Sequence, residues 1–120
     1  MTDLGKVSVV IPTYNEAATI GELISSLIDM GVGEIVIVDD GSTDGTIEIV
    51  ENLIRIYPNR VKLLKRPRKL GLGSAYKDGF KLTRGGVIVE MDADLSHRPA
   101  DLPKLVDAIK HADLVIGSRY

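Results

Sequence analysis

Short apolar runs rich in valine and isoleucine recur at Val7 to Ile11, Glu34 to Val38, Val61 to Leu64, Gly86 to Met91 and Asp113 to Ile116, with segments of helical period between them. Near-continuous runs of this kind read as strands covered on both faces, where strict polar alternation would mark a sheet with one wet side. Ile20, Leu23, Ile24, Leu27 and Ile28 follow an i, i+3, i+4, i+7, i+8 spacing, which Leu102, Leu105, Val106 and Ile109 repeat, so each helix turns one stripe to a core. Ile47, Val50, Leu53, Ile54 and Tyr57 predict a further helix before Pro58, and Ser74 to Thr83 a weaker one after a glycine-rich loop. The resulting order, β-α-β-α-β-α-β-α-β, is an α/β pattern that implies an open, mainly parallel sheet with right-handed crossovers and helices on both faces. In the usual doubly wound arrangement the first and fourth strands lie side by side, and ligands bind beyond the strand carboxyl ends at that reversal of order.

With 120 residues and 44% hydrophobic content, residues 1–120 suffice for a single domain. A net charge of -2, with 27% of residues charged, gives no field that would draw the chain to nucleic acid or to an acidic membrane surface. Cysteine is absent, which excludes disulfides and thiolate zinc sites and fits a reducing cytoplasm. No apolar stretch approaches the roughly 18 residues of a membrane-spanning helix, and Met1 to Lys6 lacks a signal-peptide core. The expectation is a soluble cytoplasmic protein, at most peripheral at a membrane.

Polar residues cluster where these strands end. The fourth run closes on Asp92-Ala93-Asp94, a pair of carboxylates that either caps the next turn and helix or, as hard oxygen ligands, holds Mg2+ or Mn2+. After the first run comes Pro12-Thr13-Tyr14-Asn15-Glu16: the proline is expected to end the strand and Asn15 to cap the helix, while Tyr14 is either a partly buried ring or one that stacks on a planar base, and Glu16 either pairs with the helix dipole or accepts from the base edge. The second run leads into Asp39-Asp40-Gly41-Ser42-Thr43-Asp44-Gly45-Thr46, where Ser42, Thr43 or Asp44 can cap the following helix. Asp39 and Asp40 exceed what a cap requires and can accept from a nucleobase N–H or a ribose hydroxyl. Lys65 to Ala75 concentrates cations and glycines before a helix, either as a solvated basic loop or as a phosphate seat. Its Gly71-Leu72-Gly73 lacks the third glycine of a dinucleotide fingerprint and follows the third strand, which argues against a nicotinamide-binding fold. His97 reads as an exposed loop residue, His111 as a cation at a helix end, and Arg119 as a group that can reach a phosphate.

Taken together, Ile11 to Glu16, Val38 to Thr46 and Met91 to Asp94 resemble the Rossmann-like nucleotide-sugar-binding half of GT-A glycosyltransferases of family 2. Gly71 to Tyr76, Asp92 to Pro99 and Val115 to Tyr120 look most like the dolichol-phosphate (polyprenyl-phosphate) mannosyltransferases within it. The resemblance implies a metal-dependent inverting transfer of mannose from GDP-mannose to a polyprenyl phosphate. Pro12, Tyr14, Glu16 and Asp40 would hold the guanosine, with Asp39 nearby and Asp92 and Ala93 on the donor nucleotide. Asp92 and Asp94 would hold Mg2+ or Mn2+, and Ser96, where family members often have glutamine, would be a weaker ligand. Asp94 and Arg119 would serve catalysis, Arg119 by seating the acceptor phosphate, which is already largely ionised near neutral pH because second phosphate pKa values lie at about 6. The family's catalytic domain continues past Gly117 to Tyr120, so the chain is expected to be a C-terminally truncated piece, with a partner chain or a second copy covering the surface left open. A nucleotide- and metal-binding module without turnover is the alternative. More remote is a haloacid-dehalogenase-type phosphatase, against which Leu95 and the fourth-strand position of the pair count.

Overall fold

In the structure, a computed structural model that describes residues 4–67, 72–83 and 87–90, the predicted alternation is realised through its fourth strand. A 3-10 turn at Leu4–Lys6 leads into β1 (Val7–Thr13), followed by α1 (Ile20–Asp29), β2 (Glu34–Asp39), α2 (Thr46–Ile56), β3 (Val61–Lys65), α3 (Leu72–Phe80) and β4 (Val87–Glu90). The strands form one parallel sheet in the order β3-β2-β1-β4. β1 is thus paired with β2 on one edge and β4 on the other, the adjacency expected from the sequence. The expected helix through Leu102 to Ile109 and the strand Asp113 to Ile116 lie outside the described residues.

Period-2 geometry sends each strand's side chains to two cores. Val7, Val9, Ile11, Ile35, Ile37, Val61 and Val89 pack with Ile20, Leu23, Ile24, Leu27 and Ile28 of α1 and Val50 of α2 on one face. Val10, Val36 and Val38 pack with Ala75 of α3 on the other. The split follows from chirality. Right-handed crossovers that step from β1 to β2 to β3 set α1 and α2 on one face, and the return step across the sheet to β4 sets α3 on the opposite one.

Some details depart from the expected ones. Pro12 does not end β1; it pairs with Val38, and the strand runs on to Thr13. Asp40 N–H donates to Thr13 C=O at 3.0 Å. Thr13 therefore faces β2, so the nitrogen of its neighbour Pro12 points to the β4 side and its missing N–H costs the β1–β2 ladder nothing. α3 begins at Leu72 and stops at Phe80, short of Thr83. The carboxyl end of α1 is closed by a cation: Arg60 Nη2 donates to the carbonyls of Ile28 (3.2 Å) and Val32 (2.6 Å), which suits the negative end of the helix dipole.

Close approach of α3 to the sheet depends on Gly79. A Cβ there would stand 2.3 Å from Val10 Cγ1 and 3.1 Å from Val38 Cγ2. Val10 and Val38 are fully buried and stiff at χ1, so neither can swing away. Gly79→Ala gains about 1 kcal/mol or less in helix propensity but forces an overpacked contact costing about 1–3 kcal/mol. The substitution is expected to lower stability by about 1–2 kcal/mol net, read as a lower denaturation midpoint in urea.

Candidate functional site

Beyond the carboxyl ends of β1 and β2, the register Thr13↔Asp39↔Lys65 brings three loops together. The ladder continues past it, Arg66 N–H donating to Asp39 C=O at 2.7 Å. Asp39 is fully buried, and its charge is met by local donors. Oδ1 accepts from the hydroxyls of Thr13 (2.7 Å) and Ser42 (2.5 Å), and Oδ2 from the N–H groups of Gly41 (3.1 Å) and Ser42 (2.8 Å). This carboxylate fastens β1 to the turn after β2.

The loop after β1 is clipped to the loop before α2. Asn15, at φ 56°, accepts from Thr43 N–H through Oδ1 (2.8 Å), and its own N–H donates to Ser42 Oγ (2.8 Å). Asparagine tolerates this left-handed conformation better than most residues. Glu16 N–H donates to Thr46 Oγ1 (2.9 Å) and Ala17 N–H to Asp44 Oδ2 (3.1 Å). Asn15 therefore does not cap α1, which starts at Ile20 behind Thr19; it ties two loops instead. None of Ser42, Thr43 and Asp44 is the N-cap of α2, which is Gly45 at φ 102° with no side-chain cap bond; Asp44, one residue before it, accepts through Oδ1 from Thr46 N–H (3.1 Å) and Thr46 Oγ1–H (2.5 Å). These bonds, with the Thr46 hydroxyl foremost, hold the exposed Asp44 carboxyl below its ordinary value of 3.8. Between the clips Tyr14 stands 45% exposed, a ring presented to solvent from a tethered loop. Pro12 and Glu16 are half-buried beside it.

Asp40 is committed to a cation. Arg66 Nε donates to Oδ1 (2.5 Å) and Nη2 to Oδ2 (2.7 Å), a two-pronged pair with both side chains less than a tenth exposed. Arg66 Nη1 donates to Ser74 Oγ (2.8 Å) and Asp78 Oδ2 (3.1 Å), both on α3. Asp40 first, opposed by burial and joined by Asp78, holds the guanidinium above its ordinary value. Arg66 thus leaves the phosphate-seat reading of its loop, because its charge is spent on carboxylates. Lys65, exposed, approaches Glu51 at 3.4 Å. Sequence reasoning missed the pairing of Arg66 with Asp40 and the part played by Ser74 and Asp78. The available signal was position: Arg66 follows the end of β3, the strand beside β2, so register carries it to the loop that holds Asp40.

Asp92, Ala93, Asp94, Ser96 and Arg119 lie outside the described residues, as do Arg68, Lys69, Leu70 and Gly71 of the basic loop. Among the described residues no group of three or more His, Asp or Glu side chains is arranged to hold a metal ion, and no helix is long and apolar enough to cross a membrane.

An open parallel sheet with helices on both faces and polar loops gathered at its strand reversal defines a Rossmann-like α/β domain, and its structural neighbours are GT-A-like. The sequence profile of Glycosyl transferase family 2 matches residues 8–120, and the chain belongs to that family. It is 50% identical over 119 residues to the dolichol-phosphate mannosyltransferase of Pyrococcus furiosus, covering 96% of this chain and 33% of that protein. To the polyprenol monophosphomannose synthase of Mycolicibacterium smegmatis it is 48% identical over 118 residues, covering 93% of this chain and 44% of the relative. A mannosyltransferase from Pyrobaculum calidifontis, solved in complex with GDP-Man and Mn2+, superposes with a TM-score of 0.67 at 30% identity, over 74% of this chain and 27% of that one. The chain therefore spans less than half the length of these relatives.

Asp40→Asn removes the carboxylate that pairs with the buried Arg66 through two nitrogens. It is expected to cost about 3 kcal/mol, the low end for an uncompensated buried charge, measured by chemical denaturation. For Asp44 the sign is fixed by a lowered folded value: its contribution is complete above 3.8 and is lost as pH falls through the lower folded value. The difference in melting temperature between parent and Asp44→Asn should accordingly shrink from about pH 5 to about pH 3.

Proposed function

We propose that this chain is the donor-binding part of a metal-dependent glycosyltransferase that moves mannose from GDP-mannose to a polyprenyl phosphate. The observation that carries the reading is the parallel pairing of β4 with β1, itself paired with β2. This sets the carboxyl ends of these strands around one reversal of sheet order, where α/β folds bind nucleotides. Tyr14 offers an exposed ring for stacking on the base, with Glu16 and Asp40 as acceptors and Pro12 and Asp39 shaping the floor. The register stops at Val10 and Glu90, two residues short of Pro12 and of Asp92, so the proposal sets Asp92, Ala93 and Asp94 beside that floor. Two hard carboxylates suit Mn2+ or Mg2+, with the rest of the shell from diphosphate oxygens and water, and Ser96 is a weaker third donor. When bound, such a metal stabilises the charge that develops on the departing nucleoside diphosphate.

Mannose and the lipid phosphate are supported by the names of the two curated relatives, and guanosine by the ligand of the solved neighbour. Arg119 is the cation this reading assigns to the acceptor phosphate.

Titration with GDP-mannose in the presence of Mn2+ should raise the melting temperature of the parent, and Asp94→Asn should abolish that rise; equal shifts in the two proteins would refute the metal assignment. Incubation with a short polyprenyl phosphate then separates transfer from binding. Binding without transfer at every metal concentration tried leaves the chain a donor-binding module.

A further inference from the structure

Asp40 has a second-layer partner that the proposed function does not use. The Arg66 guanidinium bridges two carboxylates, Asp40 through Nε and Nη2 and Asp78 through Nη1. A lone arginine–aspartate pair is neutral, and its carboxylate is a weakened acceptor because the cation already draws on its charge. With Asp78 added, Asp40, Arg66 and Asp78 carry one net negative charge among the three of them, while Lys81, 3.9 Å from Asp78 and 69% exposed, is screened by water. Arg66 is shared, and Asp40 keeps acceptor strength for a further N–H. Burial of Arg66 and Asp40 removes most of the water that would screen this effect, whereas the Asp78 side chain is about a third exposed. The Asp40 side chain is 8% exposed, and that sliver is what a ligand can reach.

We infer that Asp78, acting through Arg66, is a positioning residue for nucleobase recognition that keeps Asp40 a strong acceptor and favours a base edge rich in N–H donors. The inference rests on the proposed function in one respect, that Asp40 faces the donor base. Guanine presents both an imino and an amino donor on its pairing edge, whereas uracil presents a single imino donor between carbonyls. Weakening Asp40 therefore costs guanine more than uracil. α3, held against the sheet at Gly79, contributes to base selectivity without touching the base.

The test is calorimetric titration of the 120-residue chain with GDP and with UDP, both with Mn2+, at a temperature where every variant is folded. Asp78→Asn keeps size and one acceptor oxygen while removing the charge. It is expected to weaken GDP by about fivefold and UDP by less, so that the GDP/UDP affinity ratio falls, a coupling of the size seen between contacting groups. Asp78→Glu, which retains the charge, should restore the ratio. Ser74→Asp sets another carboxylate at the same Arg66 nitrogen and should raise the ratio, which keeps the inference testable if Asp78→Asn does not fold. Lys81→Gln removes only the cation 3.9 Å from Asp78 on its solvent side and should leave the ratio unchanged. An unchanged ratio in both Asp78→Asn and Ser74→Asp, or an equal loss of both nucleotides in Asp78→Asn, overturns the inference while the proposed function stands. A parent that binds neither nucleotide overturns both.

Discussion

β1 is paired along both edges, and the rest of the molecule depends on that pairing. Val9 and Val10 have partners on β2 and on β4 at once, so β1 is the strand about which the order reverses. Everything assigned to the candidate site follows from where this strand and its neighbours end. Asp40 N–H and Arg66 N–H extend the ladder by one bond each beyond the apolar run, which delivers the acidic and basic loops side by side. Had β4 paired at the far edge, beside β3, its carboxyl end would stand strands away from that of β1.

Within this frame, adjacent aspartates do different work. Asp39 is turned inward and saturated by Thr13, Gly41 and Ser42, a fastener whose loss would free the turn after β2. Asp40 is held by a guanidinium that α3 orients in turn. The clips from Asn15, Asp44 and Thr46 leave Tyr14 displayed on a loop whose neighbouring N–H groups are bonded across to the next loop. Under the proposed function, such pre-ordering lowers the entropy that a base must overcome to stack on the ring.

Strands and helices were legible because burial on both faces of a parallel sheet leaves a strong mark: runs of valine and isoleucine separated by 3.6-period stripes. The adjacency of β1 and β4 was legible too, since right-handed crossovers leave few ways to wind such a chain. Tyr14, Glu16, Asp39 and Asp40 were singled out because turns need fewer polar groups than these loops carry. Their division of labour was not legible. Asn15 reads as a helix cap and Pro12 as a strand terminator by local rules, and both were overridden by neighbours distant in sequence, Thr43 in one case and Val38 in the other. Arg66 reads as part of a basic loop because its partners, Asp40 and Asp78, lie 26 and 12 residues away.

Sequence alone thus determined the fold class, the family and the strand ends at which polar residues gather, because these rest on periodicity and on short motifs that each segment carries within itself. Tertiary structure decided which of those polar residues are spent in holding loops together and which are presented outward. That depends on register: the offset at which β2 and β3 lie along β1 chooses the partner of each carboxylate, and no single segment encodes an offset between two.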